Sequence, residues 1–254
     1  MAARVKNQPG YSGSVRLLLA DRFAPITKEI GFLECGRERV VSFFVDWQNS
    51  VVLPATGRTA VAREVPGGLE AALAELLPLT TPRPVRYLFV PTQSGWTAYF
   101  NNFRQGTDNS STRYMARSLG CRGLRVVATP HTMRKQGAEH RGRWGATILE
   151  IYAPREVKIH NTLRSIYAAN DGGRWVFGAD GEVQPFETTA AYDQARIRDR
   201  FTPEMLRDYS KALGVRPFDD SFYMPDGAAT LVEESGRMPS RHTTYTLADE
   251  QAKF

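Results

Sequence analysis

The chain has 254 residues, of which 42% are hydrophobic and 24% charged, an ordinary balance for a globular protein that can bury a core. Its apolar runs are shorter than the roughly 18 residues that a membrane-spanning helix needs, so the sequence predicts no membrane segment. The polar N-terminal residues have no apolar stretch of the kind found in secretory signals, which favours a cytoplasmic protein with a flexible segment at 1–13.

The formal net charge of +6 is concentrated in one part of the chain. Residues 104–143 contain nine basic and two acidic residues, a net charge of +7, so the remainder is about neutral. Such a segment attracts nucleic acid, an acidic protein or an anionic ligand, although a solvated face without a partner has the same composition. The nine basic residues are Arg104, Arg113, Arg117, Arg122, Arg125, Arg134, Lys135, Arg141 and Arg143.

The first part of the chain has strand-like patterns. Residues 14–20 and 39–47 are predicted as strands, and the near-continuous apolar character of the second indicates burial on both faces. Residues 51–53 and 59–65 are shorter strand candidates, and the Pro-Gly-Gly sequence at 66–68 ends this pattern.

A short helix and a hairpin follow. Apolar residues at helical spacing predict a helix over 69–77. Residues 86–91 and 95–101 read as two strands joined by a turn, and the alternation in the second strand is typical of a half-buried position.

The basic part of the chain combines a helix with two strands. Residues 110–119 form a predicted helix, and Gly120 lies where a left-handed residue commonly ends one. Strands are predicted at 124–128 and 146–153. They flank a basic loop at 130–143, which we expect to be mobile or ordered by a partner.

Turn and cap signals organise the later part of the chain. An Asp-Gly turn at 180–181 predicts a hairpin between strands 174–177 and 182–186. Helices are predicted at 190–200 and at 202–213, the second with a threonine N-cap and a proline at its first helical position.

These elements predict an α+β fold with a mainly antiparallel sheet and about four short amphipathic helices. Residues 14–224 are expected to form a single domain. The polar, Pro- and Gly-containing residues 225–254 are expected to form an extended C-terminal tail.

Common cofactor and metal motifs are missing from the sequence. There is no phosphate-binding loop, no dinucleotide-binding glycine motif and no zinc-protease motif, so no cofactor is predicted. Cys35 and Cys121 have no cysteine neighbours along the chain and are expected to be reduced thiols, with a disulfide between them as the alternative that the sequence leaves open. With four histidines, two of them bracketing the basic loop, no metal site is predicted.

Two carboxylates are candidates for a general base. Asp46 lies near the end of the predicted strand 39–47, and Asp108 follows the hairpin. Burial often raises the pKa of an acidic side chain at a strand end, and the following loop can place it next to a substrate. An aspartate in this position more often caps a turn.

A partner-binding surface is a further hypothesis. The hairpin combines aromatic and amide residues of the type that protein interfaces favour at their centres, which are also what a sheet core contains. The candidate contact residues are Trp96, Tyr99 and Arg104 around the hairpin, together with Arg134, Lys135, Arg141 and Arg143 in the basic loop.

Two stretches of the chain, GWTAYFNNFRQGTD at 95–108 and residues 196–223, resemble uncharacterised bacterial proteins of the toxin-neutralising immunity type. This resemblance implies a protein that binds a toxin and carries no catalytic residues. Immunity proteins that block basic nucleases are commonly acidic. A basic chain therefore implies an acidic toxin, or a toxin pocket plugged by the loop at 134–143.

The leading hypothesis is a non-enzymatic protein-binding factor, an immunity protein that neutralises a bacterial toxin by occlusion. One alternative is a nucleic-acid-binding protein that uses the basic segment 104–143. The other is an enzyme whose site is built on Asp46 and Asp108.

Overall fold

The computed structural model describes residues 15–136, 139–157, 160–238 and 240–253, so the predicted flexible segment 1–13 lies outside the described residues. In the part that is described, no helix is long and apolar enough to cross a membrane. The elements in chain order are β1 (Glu29–Leu33), α1 (Arg37–Trp47), β2 (Thr59–Pro66), α2 (Leu69–Ala74), β3 (Leu79–Thr81), β4 (Arg86–Pro91), β5 (Thr97–Asn101), α3 (Ser110–Leu119), β6 (Gly123–Thr129), β7 (Arg134–Gln136), β8 (Glu139–Arg141), β9 (Ala146–Val157), β10 (His160–Asp171), β11 (Arg174–Gly181), α4 (Pro203–Ala212), β12 (Ala228–Ser235), β13 (Thr243–Tyr245) and α5 (Leu247–Gln251).

Nine of these strands form one sheet in the order β11-β10-β9-β6-β1-β5-β4-β12-β2. Its neighbouring strands are all antiparallel. Two small ribbons, β3 with β13 and β7 with β8, complete the described strands. The expected α+β fold with a mainly antiparallel sheet is confirmed.

The sheet is buried on both faces over its centre, because successive residues of a strand point to opposite sides. Phe32 and Phe100 pack into a core with α2 and α4. Leu33 and Tyr99, the next residue along β1 and the preceding one along β5, pack into a second core with α1 and α3. Helices on both faces thus make a three-layer arrangement.

Gly31 lets α3 approach the sheet closely. A Cβ atom at this position would lie 2.2 Å from Asn109 Oδ1 and 2.4 Å from Thr112 Oγ1. These two side chains hydrogen-bond to each other at 2.7 Å in the first turn of the helix. The beginning of α3 therefore rests directly on the backbone of β1.

The strand predicted at 39–47 is wrong, because these residues form most of α1. Val40 and Phe44, which lie four residues apart, are both fully buried against the sheet. The other apolar side chains of the helix are only partly buried. Packing on one face therefore decides the structure against the strand preference of β-branched and aromatic residues.

The strand predicted at 14–20 is also wrong over its described residues. Leu18–Asp21 form a 3₁₀ turn in which Leu19 and the next two residues have positive φ. Leu18 and Leu19 are both buried in the same core, which alternating strand positions would not allow. The carboxylate of Asp220 accepts a hydrogen bond from Leu19 N at 2.7 Å and fixes the turn.

Several predicted elements are confirmed. Strands occur at 59–66, and the predicted hairpin is formed by β4 and β5. Helix α3 ends at Gly120, which has a left-handed φ of 62°. Helix α4 has Thr202 as its N-cap, with the hydroxyl accepting from Met205 N, and Pro203 as its first residue.

The hairpin predicted around Asp180-Gly181 is misplaced. Strand β11 runs without a break to Gly181, and its hairpin partner is β10, joined through Gly172-Gly173. Gly178 lies inside β11 because the ring of Tyr167 packs against it, and an added Cβ would lie 2.5 Å from Tyr167 Cζ. The helix predicted at 190–200 consists of two short 3₁₀ turns.

The predicted C-terminal tail is wrong as well. Residues 228–235 form β12, which lies between β4 and β2 inside the main sheet. The tail was predicted from a polar composition, but one of the polar residues, Glu234, is buried. The fully buried Glu234 side chain binds Arg58 at 2.9 Å, Arg83, and the Tyr87 hydroxyl at 2.9 Å.

A second buried carboxylate fastens the segment that follows β11. Glu187 accepts hydrogen bonds from Arg164 Nε at 2.9 Å and Nη2 at 2.6 Å, and from the Tyr192 hydroxyl at 2.7 Å. The side chains of Arg164 and Glu187 are 2% and 0% exposed. Such a pair is stable only while both partners are present.

We expect Gly31→Ala to destabilise the fold by about 1–3 kcal/mol, because the new methyl group must push the first turn of α3 off β1. Gly36→Ser is the matched control. Gly36 has a φ of −62°, a Cβ atom added to it would have nothing within 4 Å, and it caps α1. The control should be neutral or slightly stabilising. Equal effects of the two changes in chemical denaturation would contradict this account of the α3 contact.

We expect Glu187→Gln to cost about 3–5 kcal/mol at neutral pH, because it leaves a buried guanidinium without its carboxylate. Burial alone would raise the pKa of Glu187, but hydrogen bonds from Arg164, Gln184 N and Tyr192 outweigh it and hold that pKa below its ordinary value of 4.5. The stabilisation is therefore present above that value and is lost as the pH falls through the lowered folded pKa.

The difference in unfolding free energy between wild type and Glu187→Gln should accordingly narrow below pH 4.5. The exposed Glu182 of the same segment provides the control. Glu182→Gln should change stability by less than about 0.5 kcal/mol. A pH-independent deficit in Glu187→Gln would argue against the ionised form as the stabilising species.

Candidate functional site: the basic ribbon and the polar cleft

The positive charge of residues 104–143 is largely balanced in space by acids from other parts of the chain. In the part of the segment that the structure describes, at least five of its nine basic residues form ion pairs with acids outside the segment. The effective basic surface is therefore much smaller than the sequence indicates. The pairs are Arg104 with Glu250, Arg117 with Glu156, Arg122 with Glu34, Arg125 with Glu29 and Glu150, and Arg143 with Asp21.

Two of the predicted contact residues belong to the core. Trp96 is 3% exposed and Tyr99 is completely buried. The Tyr99 oxygen accepts a hydrogen bond from Asn101 Nδ2 at 3.0 Å, and burial raises the pKa of its hydroxyl well above the usual range. Neither side chain can reach a partner on the folded protein, so their assignment to a binding surface is corrected.

Arg104 has an internal role. Its guanidinium binds Glu250 at 2.8 Å and lies 3.9 Å from the centre of the Tyr245 ring. These contacts hold the C-terminal elements β13 and α5 against the loop after β5. The side chain is partly exposed, but its charge is already engaged.

The loop at 130–143 contains the basic ribbon, which we define as β7 and β8. It leaves the main sheet after β6 and returns to it at β9. Arg134 pairs with Arg141 directly across the ribbon, and Lys135 pairs with His140 along the backbone. Arg134 and Arg141 are exposed and share one face of the ribbon, because directly opposite residues point to the same side. Residues 137–138 lie outside the described residues.

Arg143 lies at the base of the ribbon and anchors it. Its guanidinium binds Asp21 at 3.0 Å, and its side chain is 11% exposed. Its backbone N–H donates to Thr132 Oγ1 at 3.0 Å. Burial raises the pKa of Asp21, and Arg143 offsets part of that rise. Arg143 was predicted to contact a partner, but the structure shows that it holds the base of the ribbon through Asp21.

An aromatic contact fixes the other side of the base. The ring of His131 lies 5.8 Å from Trp144 and 5.6 Å from Trp175, between centroids. His131 Nδ1 accepts a hydrogen bond from Gly145 N at 3.2 Å. Burial and the charge of Arg198 lower the pKa of His131, which favours the neutral ring that such an acceptor requires. The two chain segments that lead into and out of the ribbon are therefore held in place by defined contacts.

A polar cleft of about 380 Å³ opens beside the start of α3. Asp108 is one of its lining residues, but Asp46 is not, and Asp46 is exposed on α1 instead of ending a strand. The structure therefore does not bring the two predicted acids together. The cleft is lined by Glu29, Asp108, Asn109, Ser110, Arg113, Arg125, Glu150, Tyr152 and Thr162.

The charged groups of the cleft bind one another. Arg125 donates to Glu29 at 2.7 Å and to Glu150 at 3.3 Å, and the Tyr152 hydroxyl donates to Glu150 at 2.6 Å. Asp108 Oδ1 accepts from Ser110 N at 3.0 Å at the start of α3. The network joins β1, β6 and β9, and Asn109 Nδ2 at the start of α3 donates to Glu29 at 3.3 Å, so its carboxylates are engaged with internal donors.

Sequence reasoning missed this cleft, although a signal was present. Arg125 and Glu150 are single charged residues inside otherwise apolar strands, LRVVA and TILEIYA. A charge in such a place needs a partner on a neighbouring strand, and the register sets Arg125 directly opposite Glu150.

No group of three or more His, Cys, Asp or Glu residues with a geometry suited to a metal ion occurs in the described part of the chain. The ring of His131 packs against two tryptophan rings, and its Nδ1 atom accepts a hydrogen bond from the Gly145 N–H.

We expect Asp21→Asn to loosen the basic ribbon without unfolding the sheet. Asparagine tolerates the left-handed φ of 63° at this position,, so the change removes the charge and keeps the turn. Amide hydrogen exchange in β7 and β8 should accelerate on the order of tenfold, whereas exchange in the centre of β9 stays as in wild type. Asp208→Asn, at an exposed ion pair on α4, should leave the ribbon unchanged. Unaltered exchange in the ribbon of Asp21→Asn would rule out the anchoring role.

Comparison with protein-family models, curated proteins and solved structures finds no match to this chain.

Proposed function

We propose that this chain is a non-enzymatic protein-binding factor whose contact element is the basic ribbon. The partner would present an acidic surface or pocket. In keeping with the resemblance to immunity proteins, the proposed activity is neutralisation of a bacterial toxin by occlusion, in the cytoplasm.

The observation that carries this proposal is the pairing of Arg134 with Arg141. Both are exposed, and they face each other directly across two short strands. Opposite residues of a two-stranded ribbon present their side chains on the same side. The two guanidinium groups therefore lie on one exposed face, and an acidic partner would dock against that face.

The ordered base supports the same proposal. Asp21, Arg143 and the His131 contacts hold the two ends of the ribbon in place. A preorganised element loses less conformational entropy on binding than a flexible loop does. Exposed charges on it would mainly speed and orient docking.

Nucleic-acid binding is the second candidate, because the major groove of DNA admits a two-stranded ribbon. Basic side chains on such a ribbon would contact phosphates. Binding would then weaken steeply as salt rises, through release of counterions.

The test compares Arg134→Glu/Arg141→Glu with the control Arg63→Glu/Arg207→Glu. The control changes two exposed arginines on β2 and α4 and alters the net charge equally. Immobilised wild-type and control proteins should retain the same host protein at low salt, and the ribbon variant should not. With the purified partner, we expect the ribbon variant to lose on the order of tenfold or more in affinity and to flatten its salt dependence.

Retention and affinity unaffected by the ribbon substitutions would refute the proposal. The same variants are titrated against a labelled generic DNA duplex and a single strand. Steeply salt-dependent binding that the ribbon substitutions abolish would establish the nucleic-acid alternative instead.

A further inference from the structure

The two cysteines are distant in sequence but adjacent in the fold. Each lies two residues beyond a strand end, where β1 and β6 pair and Leu33 faces Gly123. The pairing continues past the strands, since Glu34 N donates to Arg122 O at 2.9 Å. The Arg122 guanidinium also binds the Glu34 carboxylate through two hydrogen bonds. Cys35 and Cys121 are the next residues on either side.

Both thiols enter the same core. Cys35 and Cys121 are 8% and 9% exposed and pack in the cluster shared by α1 and α3. The residues that flank each of them along the chain are exposed. The backbone is thus at the surface while both side chains point inward.

The helix ends at this place are already joined. Cys35 comes just before Gly36, the N-cap of α1, and Cys121 comes just after Gly120, the C-cap of α3. Arg39 of α1 donates to the Leu119 carbonyl of α3 at 2.8 Å. Burial raises the pKa of Cys121 to about 12, and the neighbouring Cys35 thiol adds to the rise.

We propose that Cys35 and Cys121 are a disulfide-forming pair that joins the start of α1 to the end of α3 when the protein meets a small-molecule disulfide oxidant. The Glu34–Arg122 contact sets the two cysteines side by side, and the two thiols lie within hydrogen-bonding reach of each other. Disulfide formation requires Cα separations of about 4.4–6.8 Å. Closure therefore needs the thiols to move from this contact to bonding distance, with the surrounding strand and helix ends kept in place.

The reaction is two successive thiol–disulfide exchanges. One cysteine loses its proton and attacks a sulfur of the oxidant, which forms a mixed disulfide and releases one small thiol. The second cysteine then loses its proton, attacks the protein sulfur of that mixed disulfide, and releases the second small thiol. The protein gives up two protons and two electrons, and the oxidant takes up both as two thiols.

Reaction should be slow at neutral pH, because the thiolate is the attacking species and burial disfavours it. As the pH is raised, the rate should keep increasing in the alkaline range, where the reaction rate of an ordinary exposed thiol no longer changes. Closure should raise the thermal midpoint by about 5 °C or more, because it constrains a long loop of the unfolded chain.

The experiment incubates the purified full chain with oxidised glutathione and follows intact mass and free thiols after denaturation. We expect loss of both thiols with no retained glutathione, a cross-linked peptide containing Cys35 and Cys121, and a raised thermal midpoint that a reductant reverses. Cys35→Ala and Cys121→Ala should instead retain one glutathione or one free thiol, with no gain in thermal midpoint.

Two outcomes would overturn the proposal in the wild-type protein itself. One is two glutathione adducts without the internal bond. The other is two free thiols after prolonged incubation at alkaline pH under conditions where the fold is intact. Both readings are independent of the proposed function, because they do not involve the basic ribbon.

Discussion

Three buried carboxylates hold the outer parts of the chain on the sheet. Glu187, Glu234 and Glu250 have side chains at most 6% exposed, and each is met by at least one arginine. A desolvated charge is tolerated only in the geometry that pairs it. These acids therefore decide where the segment after β11, strand β12 and the C-terminal helix can lie. The arginines in these ion pairs are engaged inside the fold and do not offer their charge to a partner.

The fold could be predicted where local signals and tertiary packing agree. Helix α4, with Thr202 and Pro203 at its start, and the β4–β5 hairpin are examples. Prediction was wrong at 39–47, where strand-favouring residues form a helix because Val40 and Phe44 pack on one face. It was also wrong for β12, because a strand with a buried glutamate looks polar until the arginine partners of that glutamate are known.

The candidate site was only partly predictable. The sequence located the basic segment, and Arg134 and Arg141 are indeed exposed on one ribbon. It could not show that Arg122 and Arg125 are neutralised, because their acidic partners lie about 90 residues away or on another strand,. Aromatic residues such as Trp96 look the same in a core and at an interface, and only their depth in the fold distinguishes the two roles.

The position of β12 also bears on how the chain is made. Strand β2 is formed by residues 59–66, but its neighbour in the sheet is formed by residues 228–235. During synthesis, β2 must therefore wait until most of the chain has emerged, and a pairing this distant forms slowly because loop closure is costly. Until then β4 is an unprotected sheet edge, a template for contact with other nascent chains. Strand β12 is the last strand of the main sheet to be made, and its arrival covers the edge of β4.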